Sequence, residues 1–565
     1  MVEHTRQRLG LVIVLLTAMA AALVFRLLFV QVVKGADYRQ EGMKKRWTTI
    51  RLPESPRGAI RDANGLTLAG NQVRYAIEAS PAFIEDMSTA VLSLTEILEM
   101  PAQVLTDTLT GDRMWMVLEP EATQAQGEAV EAMYVSGLDA RLWWERIYPQ
   151  GELTAHVLGF VSRGGDGYYG LEGFYNPVLQ PQGVEWEGET DSMRRQPIPF
   201  DEGEVEAPMP GADLELTLDL GVQAVAWEEL SRGVEEFGAE KGLIVVMDPR
   251  DGAILGMVST PGYDPHNYTE VLEEDWLFVN PAVGFQYEPG SVFKIITMAG
   301  ALDGDTVMPE STYVDEGHIE YGGLVTRNWD REAYGVQDMY GLMGNSLNVG
   351  AVWLAVQMGP QPFYRYVRAF GFGDLTGIDL QGEASGRVRT VGDLDWHDSD
   401  LGTNAYGQGL AVTPIQMISA VAAVANGGEL MAPYLVERQV FPDGTTMTHQ
   451  PVVRGRPISP EAAEALTDIL VYVVEEGATL AQVPGYRIAG KTGTAQIPVP
   501  GGYDPEETIA SFVGYGPAEE PELIILVRLD RPQASRWGSQ TATVVFSRLA
   551  SRLFPMMGIP PTEAP

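Results

Sequence analysis

A long apolar stretch near the start of the chain restricts what its first 33 residues can become. The run "LGLVIVLLTAMAAALVFRLLFVQVV" covers residues 9–33, which exceeds the roughly 20 residues that a helix needs to cross a bilayer. The apolar core of a cleavable signal peptide is usually shorter, about 7–15 residues. Arg26 interrupts the run close enough to one end to reach the membrane interface. We therefore predict an uncleaved, single-pass transmembrane anchor.

The charge balance and the absence of cysteine exclude several classes of function. The 565 residues carry 38 Lys+Arg against 77 Asp+Glu, a formal net charge of −39. Such an acidic surface repels nucleic acid, and no basic stripe with interleaved aromatic residues offsets it, so we expect no nucleic-acid partner. Without cysteine the chain has no disulfides, thiolate nucleophiles or Cys-ligated metals. We expect no cofactor and no bound metal.

The region that follows the anchor, residues 35–208, has an irregular pattern. Turn signals surround short apolar stretches in residues 51–71, and Asn64-Gly65 is typical of a hairpin turn. A glycine-rich loop at 164–176 enters a more periodic segment, and the acidic, proline-containing stretch 182–210 is typical of a linker or excursion. These features predict a β-rich module between the anchor and the rest of the chain.

A second module begins near Asp213 and has a different pattern. A strand, a helix at 221–238 and two strands within 241–259 follow one another, which predicts an α+β fold with a central antiparallel sheet flanked by helices rather than a doubly wound sheet. The later predicted elements are helices at 291–303, 338–358, 361–371, 413–426, 459–476 and 538–553 and a strand at 523–530. The predicted divisions of the chain are 1–8, 9–33, 35–208, 209–555 and a flexible tail at 556–565.

Lysine is scarce in this chain, and its position next to a serine is therefore informative. Only six lysines occur among the 38 basic residues, and only Lys294 and Lys491 follow Lys241. Lys294 stands three residues after Ser291, just behind a Pro-Gly pair where a helix is expected to begin, so the amine and the hydroxyl share one helix face. A neutral amine can take the proton of a serine nucleophile, whereas an arginine does not deprotonate. Burial and a second cation would lower the lysine pKa enough for this role.

Two further short motifs carry side chains that suit the same chemistry. Ser346-Leu347-Asn348 lies 55 residues after Ser291, and Lys491-Thr492-Gly493-Thr494 lies 145 residues after Ser346. Lys491 could be the second cation, and the two threonines offer hydroxyls. The missing side chain of Gly493 would let a substrate backbone lie close to a strand. The fold must bring these three distant motifs together.

The three motifs, in this order, resemble the S-x-x-K, S-x-N and K-T-G motifs of the penicilloyl-serine transferases. The resemblance is closest to the class B penicillin-binding proteins, single-pass D,D-transpeptidases of the bacterial cell wall, and it covers most of the chain. Ala63 departs from the family pattern, in which an arginine is common. The sequence blocks that carry the resemblance are "RGAIRDANG" (57–65), "YGLEGFYN" (169–176), "YEPGSVFK" (287–294), "TGIDLQGEASG" (376–386) and "AYGQGLAVTPIQM" (405–417).

The resemblance implies specific catalytic roles. Ser291 would be the acyl-accepting nucleophile and Lys294 its general base, while Ser346 would relay a proton to the leaving amine. Lys491 would set the local electrostatic potential. General base catalysis of this kind typically contributes about 10²–10⁴-fold to a rate.

The resemblance also implies how the substrate is held. Asn348 would bind the donor peptide's amide, and Thr492 and Thr494, on either side of Gly493, would bind its terminal carboxylate. The backbone N–H groups of Ser291 and Thr494 would form the oxyanion hole. One such donor is worth about 2.7–4 kcal/mol in other acyl-transfer enzymes.

The implied activity is the cross-linking of peptidoglycan stem peptides through a serine acyl-enzyme, with β-lactams as covalent inhibitors. Its substrates lie outside the cytoplasm, so we expect residues 1–8 inside and the catalytic module outside. The flanking charges favour the opposite orientation: Arg6 and Arg8 precede the anchor, but Lys34, Arg39, Lys44, Lys45 and Arg46 follow it. The family resemblance further implies that the non-catalytic module serves as a pedestal or dimerisation-like domain. It also implies contact with a membrane glycan polymerase of the SEDS type and with other elongation or division proteins.

Other functions fit the sequence less well. Residues 485–492, "GYRIAGKT", match a phosphate-binding loop, but glycine and two prolines follow where that loop needs a helix. A Ser-His-Asp hydrolase would need a G-x-S-x-G turn, and a metallohydrolase of the common type would need H-E-x-x-H, and neither pattern occurs. Within the superfamily a penicillin sensor or a β-lactamase-like hydrolase remains the alternative. The long module at 35–208 and the single predicted span argue against both.

Overall fold

The computed structural model describes residues 2–34, 47–51, 55–111, 113–181, 185–189, 209–499 and 501–562. Among these residues, one helical segment, Gly10–Val32, is long and apolar enough to cross a membrane. It belongs to the α-helix Val2–Leu28, which continues into the π-helical turn Phe29–Val33. Four of the basic residues that follow the anchor, and most of the acidic stretch 182–210, lie outside the described residues. Within that stretch, Glu185–Glu189 forms a strand antiparallel to Trp47–Arg51.

The chain forms two compact units, and each unit contains separate stretches of sequence. The smaller unit consists of Met1–Ser55, Arg74–Trp143 and Pro181–Met209, and the larger of Pro56–Val73, Trp144–Gln180 and Pro210–Pro565. This division differs from the predicted one, which assigned all of residues 35–208 to one module. The difference arises because residues 56–73 and 144–180 form strand pairs and buried ion pairs within the larger unit.

Three amphipathic helices pack on one another in the smaller unit. They are Met87–Leu98, Ala102–Leu109 and Gln124–Glu131. Asp86 accepts a hydrogen bond from Thr89 N at the start of the first helix, and Thr123 and Gln126 form a capping box at the start of the third. The strand Met116–Ala122 pairs antiparallel with residues 75–79. These elements make a small core of their own.

A five-stranded antiparallel sheet lies at the centre of the larger unit. Side chains of Lys241–Met247 alternate between two hydrophobic clusters, with Leu243, Val245 and Met247 in one and Ile244 and Val246 in the other. Both faces of this strand are therefore covered, as its nearly continuous apolar sequence requires. The order of strands across the sheet is Ile254–Thr260, Lys241–Met247, Leu523–Asp530, Gly502–Gly516 and Ala489–Val499.

Helices cover both faces of this sheet, so the predicted α+β arrangement with flanking helices is confirmed. Leu220–Phe237 and Ala542–Met556 pack together on one face. Lys294–Asp303, in which only the last residue is not buried, runs through the larger hydrophobic cluster on the other face. The other helices of that cluster are Pro281–Gly284, Met339–Gly344, Asn348–Met358, Pro360–Ala369, Asp398–Asn404, Pro414–Ala425 and Pro460–Tyr472.

A second sheet joins residues 56–73 to the rest of the larger unit. Ile60–Arg61 pairs in parallel with Asp213–Leu216 and forms a hairpin with the strand Thr67–Ala79. The turn of this hairpin contains Asn64-Gly65, with Gly65 at φ +82°, as predicted from the dipeptide. On its other side Asp213–Leu216 pairs with Val436–Val440. The remaining strands are Leu138–Ile147, Phe160–Val161, Gly167–Tyr168, Tyr313–Asp315, His318–Tyr321, Leu324–Arg327, Gly335–Gln337, Leu430–Met431, Thr446–Thr448 and Val453–Gly455.

A buried ion-pair triad holds residues 144–180 against residues 56–73. The Glu172 carboxylate is completely buried and accepts from Arg57 Nε at 2.6 Å and from Arg146 Nε at 2.7 Å. Glu172 lies on the short helix Gly170–Phe174, which the helix Asn176–Leu179 follows. Asn176 accepts a further hydrogen bond from Arg57 Nη1. Two arginines and one carboxylate thus connect three segments that are distant in sequence.

The carboxy-terminal residues differ from the flexible tail predicted for 556–565. The last helix ends at Met556, but Ile559 is buried, and its carbonyl accepts a hydrogen bond from the Tyr486 hydroxyl at 2.8 Å. Thr562 N donates to Gly485 O at 2.9 Å. The prolines in this segment suggested a frayed end, but one apolar side chain and two main-chain contacts bind it to the body through residue 562.

Glu172→Gln should strongly destabilise the larger unit, because it leaves two buried guanidinium groups without a counter-charge. Removal of one partner from a buried ion pair typically costs about 3–5 kcal/mol. Glu228→Gln is the matched control, since Glu228 pairs with Arg552 at the exposed surface and such pairs are worth at most about 1 kcal/mol. Denaturant unfolding of the full chain in detergent measures both. Equal, small losses of unfolding free energy in the two variants would contradict the structural role of the triad.

Candidate active site

The serine of the first motif lies in a tight turn that precedes a buried helix. Gly290–Phe293 forms a 3₁₀ turn, and the helix Lys294–Asp303 follows directly. Gly290 has φ +57°, and a Cβ atom at this position would lie 3.1 Å from the Ala495 Cβ. Ser291 is half-buried, whereas Lys294 is completely buried. The Lys294 Nζ lies 3.1 Å from the Ser291 Oγ, so the expected shared face of one helical turn exists.

The second motif interrupts what the sequence pattern predicts to be one helix at 338–358. Met339–Gly344 ends before it and Asn348–Met358 begins within it. Ser346, between the two helices, has φ +55°, an unfavourable conformation for a residue with a Cβ atom. Strain of this kind persists only where the surroundings impose it, and it is frequent at functional sites.

The break directs three oxygen atoms at the buried amine of Lys294. Its Nζ lies 2.6 Å from Ser346 O, 3.3 Å from Ser346 Oγ and 2.7 Å from Asn348 Oδ1. A continuous helix would have used the Ser346 carbonyl for its own hydrogen bond. The interruption therefore supplies ligands to the lysine of the first motif.

The third motif lies on Ala489–Val499, the edge strand of the central sheet. Lys491 is 1 % exposed, and its Nζ lies 3.0 Å from Ser346 Oγ. The same hydroxyl lies 3.3 Å from the Lys294 Nζ. The Ser346 hydroxyl thus bridges two buried amines, and all three motifs meet at this atom.

Burial lowers the pKa values of both lysines. The pKa of Lys294 falls well below 10.5, first because the side chain is desolvated and second because the positive charge of Lys491 lies close to it. Burial alone lowers the pKa of Lys491 to about 7. At neutral pH this site therefore favours a neutral amine at Lys294.

The hydrogen-bond partners of Lys294 match the requirements of a neutral amine. A neutral amine has two N–H donors and one lone pair. The Ser346 carbonyl and Asn348 Oδ1, at 2.6 and 2.7 Å, can only accept and so take both donors. The lone pair then remains for the Ser291 hydroxyl at 3.1 Å. This geometry suits transfer of the Ser291 proton to Lys294 Nζ.

Gly493 has a packing role in addition to the one expected from the sequence. A Cβ atom at this position would lie 2.3 Å from Ser511 Oγ and 2.8 Å from Val292 Cγ2. The missing side chain therefore lets the edge strand lie against the serine turn and the neighbouring strand. Sequence alone could not separate these uses, because both require only a close approach.

The two threonines of the third motif lie on the same strand, and their hydroxyls have different neighbours. Thr494 Oγ1 accepts a hydrogen bond from Gly538 N at 3.1 Å, and Thr492 Oγ1 lies 3.5 Å from Lys491 Nζ. Both residues are partly exposed. Because the strand forms an edge, alternate backbone groups have no ladder partner within the sheet. Such groups are available to an extended peptide or to a developing oxyanion.

Several residues that support the site were not singled out from the sequence. Arg327 O accepts from Asn348 Nδ2 at 3.2 Å and fixes that amide. Gly290 N donates to Gly407 O at 3.0 Å, and Glu288 Oε1 accepts from Gly409 N at 3.1 Å. These last contacts join the blocks "YEPGSVFK" and "AYGQGLAVTPIQM". The glycines of both blocks are visible in the sequence, but the hydrogen bonds between the two blocks could not be predicted from it.

The phosphate-binding-loop alternative does not fit the structure. Lys491 follows a turn at residues 483–486 and lies inside the strand Ala489–Val499, and the next described element is another strand, Gly502–Gly516. A phosphate site of that type needs a helix N-terminus directly after the loop.

Comparison with known proteins gives two family matches. Residues 242–551 match the model described as the penicillin-binding protein transpeptidase domain, and residues 53–216 match the penicillin-binding protein dimerisation domain. Stage V sporulation protein D of Bacillus subtilis is 33% identical over 100% of this chain and 88% of its own length. A probable peptidoglycan D,D-transpeptidase PenA of Neisseria meningitidis is 29% identical over 98% of this chain and 94% of its own length.

Solved structures resemble the chain over most of its length. Penicillin-binding protein 3 of Mycobacterium tuberculosis has a TM-score of 0.70 and 26% identity, and the match covers 90% of this chain and 98% of that one. A complex of the same protein with aztreonam is among the matches. Penicillin-binding protein 2X of Streptococcus thermophilus has a TM-score of 0.80 over 91% of this chain and 81% of that one, at 23% identity. The last comparison shows the fold alone.

The pH dependence of acylation should report the charge of Lys491. Lys491→Met removes a neighbouring positive charge, so the pKa of Lys294 should rise. The acid side of the pH–rate profile should then move to higher pH, in addition to any fall in the maximum rate. Lys241→Met is the control, because Lys241 packs over the Trp276 ring, on the strand Lys241–Met247 rather than in this site.

Second-order rate constants for acylation by a fluorescent penicillin, measured across pH, give this profile. An unchanged or lower acid limb in Lys491→Met would contradict the coupling between the two lysines. Lys241→Met should follow the wild-type profile.

Proposed function

The chain belongs to the class B penicillin-binding proteins, and we propose that it cross-links peptidoglycan as a D,D-transpeptidase through an acyl-enzyme on Ser291. The observation that carries this assignment of residues is a continuous set of contacts. Lys294 Nζ contacts Ser291 Oγ and both the carbonyl and the hydroxyl of Ser346, and Lys491 Nζ contacts the same hydroxyl. Each of the contacting distances lies between 2.6 and 3.3 Å. The fold and the transpeptidase domain support the reaction class.

In the first step Ser291 Oγ attacks the penultimate D-alanine carbonyl of a stem peptide, and Lys294 Nζ accepts the hydroxyl proton. The developing oxyanion is held by the N–H groups of Ser291 and Thr494. The bond to the terminal D-alanine then breaks, and its nitrogen receives a proton from the Ser346 hydroxyl. Lys294 Nζ passes the proton that it took from Ser291 to Ser346, so the Ser346 hydroxyl is restored and Lys294 ends as a neutral amine beside the Ser291 ester.

In the second step an amine from a neighbouring stem attacks this ester. Its proton passes back through the same groups to Ser291 Oγ, which leaves as the hydroxyl, and a new amide joins the two stems. A β-lactam follows only the first step, because its opened ring stays attached and blocks the acceptor. Asn348, at the start of the helix Asn348–Met358, holds the donor amide. Thr492 and Thr494 hold its terminal carboxylate, as the position of these two side chains along one edge strand supports.

We also propose the orientation and the partner of the chain. Residues 1–8 lie in the cytoplasm, the anchor at 9–33 crosses the membrane once, and the catalytic domain lies outside, where peptidoglycan is assembled. A protease added to intact spheroplasts should remove the domain, and protection of the domain would overturn this orientation.

Residues 35–208, as a non-catalytic pedestal, contact a membrane glycan polymerase of the SEDS type. The match of residues 53–216 to a dimerisation domain supports a binding role for this region. Co-purification of the full chain with such a polymerase should be lost when residues 74–143 of the smaller unit are exchanged for those of a distant relative, an exchange that leaves residues 56–73 and 144–180 of the larger unit unchanged.

Labelled penicillin should attach covalently to the wild-type protein and not to Ser291→Ala. Ser551→Ala is the control, because Ser551 is exposed on the last helix and its loss should leave labelling unchanged. Mass spectrometry of the adduct should locate it on the peptide that contains Ser291. Equal labelling of Ser291→Ala would overturn the assignment.

The lifetime of the adduct separates a transpeptidase from a β-lactamase-like hydrolase. The ester should persist for many minutes after unbound penicillin is removed. Purified wild-type protein should also join two stem peptides into a cross-linked product. Release of hydrolysed penicillin within seconds, without any cross-linked product, would favour a hydrolase.

A further inference from the structure

One arginine near the active site has no acidic partner, although its neighbours do. Arg528 pairs with Asp530 at 2.7 Å, and Arg531 pairs with Glu240 at 2.6 Å and with Glu507 at 2.7 Å. Arg536, five residues further on, is exposed and forms no ion pair with any described residue. Other arginines, such as Arg327 and Arg454, also have no ion pair with any described residue, so the position of Arg536 and the contacts of its loop carry the argument.

The loop that carries Arg536 is held in place by hydrogen bonds. Its carbonyl accepts from the Thr508 hydroxyl at 2.8 Å, and the Trp537 carbonyl accepts from the Thr541 hydroxyl at 2.9 Å. Gly538 N donates to Thr494 Oγ1 at 3.1 Å. The loop is therefore fixed directly to the strand that carries the third motif.

The guanidinium of Arg536 is oriented by an aromatic ring. Its Cζ lies 4.7 Å from the centre of the Trp537 ring, a distance at which a guanidinium is attracted to the π face. A stacked guanidinium keeps its N–H groups at the edge, where they can form two parallel bonds to a carboxylate. Stacking thus pre-orders the group without using its hydrogen-bond donors.

The tryptophan pair places this arginine beside the substrate groove. The Trp537 ring meets the Trp329 ring edge to face, with centres 5.2 Å apart. Trp329 Nε1 donates to Asn345 O at 3.2 Å, one residue before Ser346. The contacts among Arg536, Trp537 and Trp329 therefore connect the loop beside Thr494 with the loop beside Ser346.

We propose that Arg536, stacked on Trp537, is a carboxylate-binding subsite of the peptide groove that acts in addition to Thr492 and Thr494. This proposal rests on the proposed function, since it concerns the same groove. An acidic protein repels anionic peptides, and an unpaired cation at the mouth of the groove offsets this repulsion locally. The ligand is a carboxylate of the peptide substrate.

Two substrates can supply this carboxylate. The donor carries one on the residue that leaves during acylation. The acceptor carries one when its amine belongs to an amino acid with a free carboxyl group. Both pass the Thr494 side of the groove, because the acceptor amine replaces the leaving amine at the same carbonyl.

Arg536→Gln tests the proposal with two pairs of small substrates. The donors are two thioesters with the same acyl group, one with a thioglycolate leaving group and one with its uncharged amide. The acceptors are D-alanine and D-alaninamide, compared by the ratio of aminolysis to hydrolysis. The wild-type preference for the carboxylate form should fall about tenfold in at least one pair, as loss of a hydrogen bond to a charged group implies. Rates with the uncharged forms should stay within twofold of wild type.

The two arms identify the source, since a loss in the thioester pair points to the donor and a loss in the amine pair to the acceptor. Arg531→Gln is the matched control and should keep both preferences, because Arg531 is already engaged by two glutamates. Arg536→Lys should restore part of the preference by charge alone.

Preferences within twofold of wild type in both pairs would overturn the proposal. Equal losses with charged and uncharged substrates would also overturn it, because the residue would then act only by shaping the loop. Failure of the proposed function has a separate signature, namely wild-type turnover of the thioesters that does not depend on Ser291.

Discussion

The burial of two lysine amines against one hydroxyl is the constraint on which the rest of the site depends. Two ammonium groups in so dry a place would each lose several kcal/mol of solvation and would repel one another. The structure avoids this because burial favours the neutral amine, most strongly at Lys294, which lies at the start of a helix inside the core. The strained Ser346 backbone supplies an acceptor for one of its two donors, and Asn348 Oδ1 accepts from the other. The core packing, the helix interruption at Ser346 and the low pKa of Lys294 therefore depend on one another.

This requirement also explains the unequal use of the two basic residues. Arginine stays charged under all ordinary conditions, and it serves where permanent charge is needed, as at Arg57 and Arg146 on either side of buried Glu172. Lysine can become neutral, and both lysines that follow Lys241 lie in the site where a neutral amine is needed. The three motifs contain two of the chain's six lysines and no arginine.

The sequence predicted the parts of the structure that depend on local chemistry. The strand Leu523–Asp530 has the bounds expected from its apolar run, and the Ser291–Lys294 pair follows from three-residue spacing. The break at Ser346 and the inward-facing Gly493 were not predictable, because the residues they contact lie 52 positions away for Ser346 and 18 and 201 positions away for Gly493. The same holds for the interleaved units, since the Arg57–Glu172 contact spans 115 residues. The local sequence pattern identified the residues of the site, whereas packing between distant parts of the chain determined their contacts.

The close contacts around the nucleophile limit where selectivity can arise. A Cβ atom would lie 2.3 Å from Ser511 Oγ at Gly493 and 3.1 Å from Ala495 Cβ at Gly290, so the serine turn, the edge strand and the neighbouring strand form a tightly packed block. A block packed this closely cannot adjust to different peptides without losing the distances between the two lysines and Ser346. Discrimination must therefore come from side chains that project beyond it. Trp329, Trp537 and Arg536 lie on loops that hydrogen bonds hold in place, so their side chains can change substrate preference while the catalytic distances stay constant.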